Sequence, residues 1–495
     1  MLSLVHLLKG GLARSKPATA AAAAHPHARV HISCVVDDEP RFRLEAWNWL
    51  LSLNALETHC RTFIHYVPGA LSRATQAHFR ALGATLIETA PFGEGAARYC
   101  NKLRQLETAQ LLEADVVILS DTDIVFLQDP DRLVRPQRFR AKTVDAPNPP
   151  EPLWRELFAR AGLADTIRTV GLEIYPGTRT FSTNFNGGLY VIPASAARTL
   201  GPLWQKWARF CLQQADLLGR YLHHSDQLGM GLALAESGLA IEPLPTGANL
   251  PTHLAKKELA RIPRQPVSAI HYHRHIEQHG LPRDAGLPWI DAATRQARER
   301  LIRERRKGFC NDLFWDFRYA QLPQLGSGLG SRGEALAHKR KLLRPYVEKI
   351  GGDTLLDVGC GDLEVFAPLP LAHYTGIDVS KEALAIARGK RPDWTFEARS
   401  ISDFEAESFD YTCCIDVLIH QPDESAARAL SRDLVRVARK GILFSAHTEV
   451  IDGSDISFNS GQLREYMASL PQIGAVTEIG RYRDTTLYFA EKRLS

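Results

Sequence analysis

Apolar strand-like runs alternate with amphipathic helical runs twice along this chain, which limits the folds open to it. From Arg29, HISCVV reads as a strand, FRLEAWNWLLSLNAL as a helix and RTFIHYVP as a strand. LSRATQAHFRAL follows as a helix, ATLIETAP as a strand, YCNKLRQLETAQLLEA as a helix and DVVILSDTDIVF as a strand. Such alternation predicts an open, mostly parallel α/β sheet. A second alternation starts at DTLLDVGCG and runs to the C-terminus. Two α/β modules are therefore expected, each with a candidate ligand site at its strand C-termini.

The predicted boundaries are a disordered leader over 1–28, a first module over 29–295, a charged and solvated helical linker over 296–307, and a second module over 308–495. The leader is alanine-rich, and His6 interrupts its short apolar part, which argues against a signal peptide. The segment 308–495 is expected to fold alone.

Composition excludes some functions. With 60 basic against 56 acidic residues, the net charge of +4 is too balanced for nucleic acid to be the main partner. No apolar run approaches the roughly 20 residues that span a bilayer. A transmembrane segment is not expected, and peripheral membrane contact stays open. The eight cysteines form no C-x-x-C pair. A zinc site is not expected, and a reducing, cytoplasmic setting is.

In the second module, LLDVGCGD (Leu355–Asp362) is a buried strand breaking into Gly359 and Gly361, which permit a tight turn and close ligand approach. HYTGIDVS ends in Asp378, roughly 20 residues on, where a carboxylate can hold ribose hydroxyls. WTFEARS leads to Asp403, and FDYTCCIDVLIH leads to His420. AVTEIGRYR and TTLYFAEKR read as an antiparallel hairpin. Glu364 stands where a dinucleotide fingerprint has Gly or Ala, which counts against NAD. A Rossmann-like domain with another ligand remains the alternative.

These residues, with Asp416-Val-Leu-Ile-His420, resemble the class I S-adenosylmethionine-dependent methyltransferases, which have a Rossmann-like seven-stranded domain. The resemblance implies that Asp357, Gly359 and Gly361 lie at the cofactor, with the glycines beneath its methionine part. Asp378 would hold the ribose, Ile401 and Ser402 would flank the adenine, and Asp403 would contact its amine. His420 is the candidate base for a hydroxyl acceptor, or else it packs or caps a loop. His447 is a second choice. FWDFRYAQLPQLGSGLGSRG has too many aromatics for a flexible tether and is expected to form a lid, with Tyr319 and Arg332 facing the cofactor.

In the first module, Asp121 and Asp123 close an apolar strand. In an extended chain, i and i+2 point the same way, so two carboxylates would meet at one point. Like charges that close repel unless a cation lies between them. An acidic pair capping the next turn is the alternative.

The surrounding stretch Tyr99–Pro130, together with NFNGGLYVIP (Asn184–Pro193), HHSDQLGMGLAL (His223–Leu234) and AIHYH (Ala269–His273), resembles the family 8-like nucleotide-sugar glycosyltransferases of the GT-A fold. The resemblance implies that Asp121, Asp123 and His271 bind a metal. Two carboxylates and an imidazole suit Mn²⁺ somewhat better than Mg²⁺. Lys102 would reach the nucleotide or its phosphates. Asn186, Asp226 and Gln227 would line the donor sugar, with Asp226 the catalytic candidate. The segment after the metal histidine, HRHIEQHGLPR, has no lysine for the diphosphate, and His273 competes with His271.

Together these features predict a bifunctional enzyme. It would transfer a sugar from a nucleotide-sugar donor and a methyl group to a glycan or glycolipid acceptor, in polysaccharide or glycolipid assembly. The alternative is a methyltransferase with a non-catalytic sugar-binding N-terminal module. A nucleic-acid methyltransferase is disfavoured, because the fourth strand has neither an Asn-Pro-Pro-Tyr-type motif nor a Pro-Cys nucleophile.

Overall fold

A computed structural model describes residues 28–447, 456 and 462–493. Residues 1–27 of the expected leader lie outside the described residues. The first module contains strands β1 (Val30–Val36), β2 (Arg61–Tyr66), β3 (Thr85–Glu88), β4 (Val116–Ser120), β5 (Ile124–Phe126) and β6 (Arg140–Thr143). A small hairpin, β7 (Thr169–Gly171) with β8 (Arg179–Phe181), precedes β9 (Phe185–Pro193), β10 (Leu250–Pro251) and β11 (Ala269–His271). The main sheet has the order β3-β2-β1-β4-β9-β6. Its first four strands are parallel, and β9 joins antiparallel to β4 and β6.

The run expected as one strand, DVVILSDTDIVF, is two. β4 stops at Ser120, and Asp121 donates its N–H to Gly188 O at 2.8 Å. Thr122 Oγ1 then donates to the buried Glu45 carboxylate at 3.1 Å, and the chain leaves the sheet. β5 pairs antiparallel with β11, Ile124 opposite His271. That turn brings Asp123 next to His271. The helix expected from Tyr99 is a tighter 3₁₀ helix over Gly95–Glu107. At three residues per turn, Lys102 and Gln105 share one face; Lys102 reaches Asp121 at the end of β4, and Gln105 reaches Ser33 within β1.

Two apolar layers cover the sheet. One holds helix α1 (Pro40–Asn54), and α2 (Arg73–Ala81) packs beside it. The charged run expected as a solvated linker belongs to helix Pro288–Arg305, which buries Ile290, Ala293, Ala297 and Leu301 in that layer. Arg305 is fully buried. Its guanidinium lies 5.0 Å from the Trp47 ring centre and donates to Asn48 Oδ1 at 2.7 Å. A charge run therefore need not be a solvated face when the apolar stripe between its charges has a core to meet.

The same layer takes in Phe309, Leu313, Phe314 and Phe317, which the sequence pattern assigned to the second module. Three of them lie on helix Asn311–Gln321, whose other face carries Trp315, Asp316 and Tyr319. Asp316 accepts from Ser380 Oγ at 2.7 Å and lies 3.8 Å from Arg43. This helix thus bridges the modules.

The second module contains β12 (Thr354–Val358), β13 (His373–Ile377), β14 (Thr395–Glu397), β15 (Phe409–Cys414), β16 (Ala438–His447), β17 (Ile473–Tyr482) and β18 (Thr485–Lys492). Their order is β14-β13-β12-β15-β16-β18-β17, the first five parallel and the last two an antiparallel hairpin as expected. Apolar layers cover both faces. No described helix is long and apolar enough to cross a membrane.

Candidate active sites

The first site lies at the end of β4 and β11. Asp123 Oδ1 is 3.1 Å from His271 Nε2, and its Oδ2 is 3.5 Å from His273 Nδ1. The His271 and His273 rings stack with centres 3.9 Å apart, and the His253 ring meets His273 at the same distance. Ligand atoms of Asp123, His271 and His273 all fall within 4.8 Å of one another. His271 is buried, its Nε2 faces only the Asp123 carboxylate, and its Nδ1 has no hydrogen-bond partner among the described residues. Buried polar groups rarely go unpaired, and a divalent cation would satisfy this one. Burial alone would raise Asp123, but His271 and His273 hold it well below the usual carboxylate range. Burial lowers His253 to about 4, which leaves a neutral imidazole.

Asp121 faces another way. Lys102 Nζ lies 2.7 Å from Asp121 Oδ1 and 3.2 Å from Asp226 Oδ2, and it donates to Gly187 O at 3.2 Å. Burial disfavours the ammonium, but the two carboxylates outweigh it and keep Lys102 above its ordinary value. Burial raises Asp121, with Lys102 opposing. The glycines of NFNGGLYVIP have a steric reason. A Cβ on Gly188 would lie 2.5 Å from His271 Cε1, and one on Gly187 would lie 3.3 Å from Lys102 Nζ. Asn186 donates to Asp145 at 3.1 Å and accepts from Asn249 at 3.1 Å, while Gln227 Oε1 accepts from the Gly187 N–H at 3.2 Å.

All seven first-module residues singled out from sequence thus gather within one connected polar cluster. His253, Asp145 and Lys142 join it without any motif to mark them. Lys142 is buried and pairs with Asp145 at 2.7 Å.

The second site is a cavity of about 470 Å³ at the ends of β12, β13 and β15. Gly359 and Gly361 have φ of +78° and +56°, a region that disfavours other residues. A Cβ on Gly359 would lie 2.3 Å from Val417, and one on Gly361 would lie 2.6 Å from Tyr319 Oη. Asp378 accepts from the Gly361 and Ser380 N–H groups, each at 2.8 Å, which fixes its carboxylate at the glycine turn. Burial raises Asp378 to about 6 against those two donors. Asp357 also borders the cavity, accepts from Tyr374 Oη at 2.5 Å and is pushed up by burial to about 7.

Tyr319, Ile401 and His420 line the cavity, but Arg332, Ser402 and Asp403 do not. Arg332 pairs with Asp362. Asp403 is exposed and accepts from the Ser400 N–H at 3.3 Å, so it caps its own turn. His420 Nδ1 bonds to the Ile456 carbonyl, so Nδ1 carries the hydrogen and Nε2 keeps a lone pair. Burial lowers its pKa. The buried Lys339, which sequence reasoning missed, pairs with Asp416 on the cavity wall at 2.5 Å.

Two α/β sheets, each with polar groups gathered at the carboxyl ends of its parallel strands, define a chain with two ligand-binding domains. Residues 33–238 match the Rhodobacterales glycosyltransferase domain, and residues 356–445 match a methyltransferase domain. The chain is a fusion of these two domain types. It is 35% identical over 98 residues to a ubiquinone biosynthesis O-methyltransferase of Aromatoleum aromaticum, covering 18% of this chain and 41% of that one. A similarly named protein of Hahella chejuensis is 36% identical over 101 residues, covering 18% and 40%. The chain thus spans less than half the length of these curated relatives. Among solved structures, the galactosyltransferase LgtC with donor and acceptor sugar analogues aligns at 14% identity and a TM-score of 0.36, over 55% of this chain and 95% of that one. A magnesium protoporphyrin IX methyltransferase from Synechocystis aligns at 18% and 0.31, over 38% and 100%.

Proposed function

We propose that the first site transfers a sugar from a nucleotide-sugar donor with the help of a divalent metal, and that the second transfers a methyl group from S-adenosylmethionine to a glycan or glycolipid hydroxyl. The strongest support is that the residues of both motifs, far apart in sequence, meet at strand ends in two separate sheets. Eight free, buried cysteines support a reducing, cytoplasmic setting for polysaccharide or glycolipid assembly.

At the first site, Asp123, His271 and His273 would hold the metal, Asp121 being held by Lys102 beside them, and a carboxylate with imidazoles suits Mn²⁺. A bound metal would neutralise the departing diphosphate. Lys102 fixes Asp226 beside the sugar, and Asn186 and Gln227 orient it. At the second site, Asp378 would hold the ribose hydroxyls, and Tyr319 would close over the glycine turn. His420 Nε2 would take the acceptor's proton as oxygen bonds the methyl carbon and the carbon–sulfur bond breaks.

Mn²⁺ is expected to raise the thermal midpoint of the wild type, because a ligand that binds only the native state stabilises it. Adding a nucleoside diphosphate should enlarge the shift. An Asp123→Ala variant that responds to Mn²⁺ as the wild type does would place the metal elsewhere. At the second site, Asp378→Ala is expected to weaken S-adenosylhomocysteine binding by on the order of 1–3 kcal/mol, the worth of charged hydrogen bonds. Calorimetry giving unchanged affinity in a folded variant would remove Asp378 from the site.

One observation favours a second reading, in which the first module binds a sugar nucleotide without turning it over. The Lys102 ammonium is committed to two carboxylates, and the segment HRHIEQHGLPR after His271 holds no lysine. Incubation with Mn²⁺ and a panel of nucleotide sugars separates the two readings. Binding without hydrolysis or transfer would favour the non-catalytic module.

A further inference from the structure

The cavity of the second module is not walled by that module alone. Ala74 and His78, on α2 of the first module, line it too. His78 Nε2 is buried with no hydrogen-bond partner among the described residues, and its ring packs edge-on against Trp47 at 5.9 Å. The Trp315 ring, also on the cavity wall, lies 5.2 Å from that of His420. Asn311 and Gln421 complete this end. These side chains are rings and uncharged donors or acceptors, with the half-buried Asp312 beside them. The bridging helix holds the two walls together. Its Phe314 and Phe317 sit in the first core, while its Asp316 bonds to Ser380 of the second module.

We propose that the methyl-acceptor subsite is composite, with His78 of the glycosyltransferase-type module as a positioning residue that hydrogen-bonds a neutral, hydroxylated ring compound. A pyranose fits this chemistry, since its C–H face can lie on Trp315 while a hydroxyl meets the His78 imidazole where it lines the cavity. A phenol offers the same combination of flat face and hydroxyl. This inference rests on the methyltransferase assignment of the second site. It also gives the fusion a physical purpose, because the first module builds part of the second module's active site.

The test uses the full chain with ¹³C-labelled histidine, saturated with S-adenosylhomocysteine. The His78 signal is assigned by its loss in His78→Gln. Methyl β-glucopyranoside, phenyl β-glucopyranoside and catechol are then titrated. At least one probe should move the His78 signal. Affinity for that probe should fall about five- to tenfold in His78→Ala, the size of one neutral hydrogen bond, and recover in part in His78→Gln. S-adenosylhomocysteine affinity should stay within about twofold, since the variants remove no charged contact to it. Movement by the glucosides alone indicates a glycan acceptor, and movement by catechol alone indicates a phenol. A His78 signal unmoved by every probe, or equal probe affinity in His78→Ala, would overturn the composite site. Failure of S-adenosylhomocysteine to bind the wild type would instead overturn the methyltransferase assignment beneath it.

Discussion

Lys102→Ala is expected to destabilise the first module by about 3–5 kcal/mol, the range for removing one partner of a buried ion pair. The cost comes from what remains. Asp121 and Asp226 both face the space that the ammonium occupies, and Lys102 and Asp226 are less than one-sixth exposed. Without Lys102, the buried Asp226 and the partly exposed Asp121 would lose their shared cation and repel each other. Urea unfolding of the wild type and the variant measures the difference. Adding Asp121→Asn to Lys102→Ala should recover part of the loss, because it removes one of the stranded charges. A loss below about 1 kcal/mol, the surface-pair range, would mean that water already screens the cluster.

A chain beginning at residue 308 is expected to bind S-adenosylhomocysteine at least tenfold more weakly than the full chain, or to aggregate. The sequence pattern suggested autonomy, because β12 to β18 form a complete alternating set. Yet Phe309, Leu313, Phe314 and Phe317 are almost fully buried in the first module's core. Burying each such side chain stabilises by about 1.5–3 kcal/mol, so the shortened chain would expose a large apolar stripe. The same helix carries Tyr319, which packs over Gly361. Releasing it should loosen the cofactor cavity. Calorimetry on the two chains decides the matter, and equal affinity would show that the helix finds its place without the first module.

How much of this was legible in the sequence depended on the range of the contacts involved. The strand–helix alternation and the glycine turn are local signals, and both sheets follow from them. Asp121 and Asp123 stood out through spacing, and His271, Asp226 and Gln227 through resemblance. The break of DVVILSDTDIVF into β4 and β5 was not legible, because the pairing of β5 with β11 is long-range. Arg305 looked solvated because its partners, Trp47 and Asn48, lie more than two hundred residues earlier. His253 and His78 carry no motif, and only the fold brings them to their sites. Asp403 is the converse case, since an acidic residue placed by resemblance at the adenine also caps its own turn.

The central claim is that one chain holds two separate transferase sites. Calorimetry on the full chain tests it, with S-adenosylhomocysteine as one ligand and a panel of nucleoside diphosphates with Mn²⁺ as the other, on the wild type, Asp378→Ala and Asp123→Ala. The wild type should bind S-adenosylhomocysteine and at least one nucleoside diphosphate. Asp378→Ala should weaken only the first ligand, and Asp123→Ala only the second. A wild type that binds neither ligand, or a single variant that weakens both, would contradict the claim.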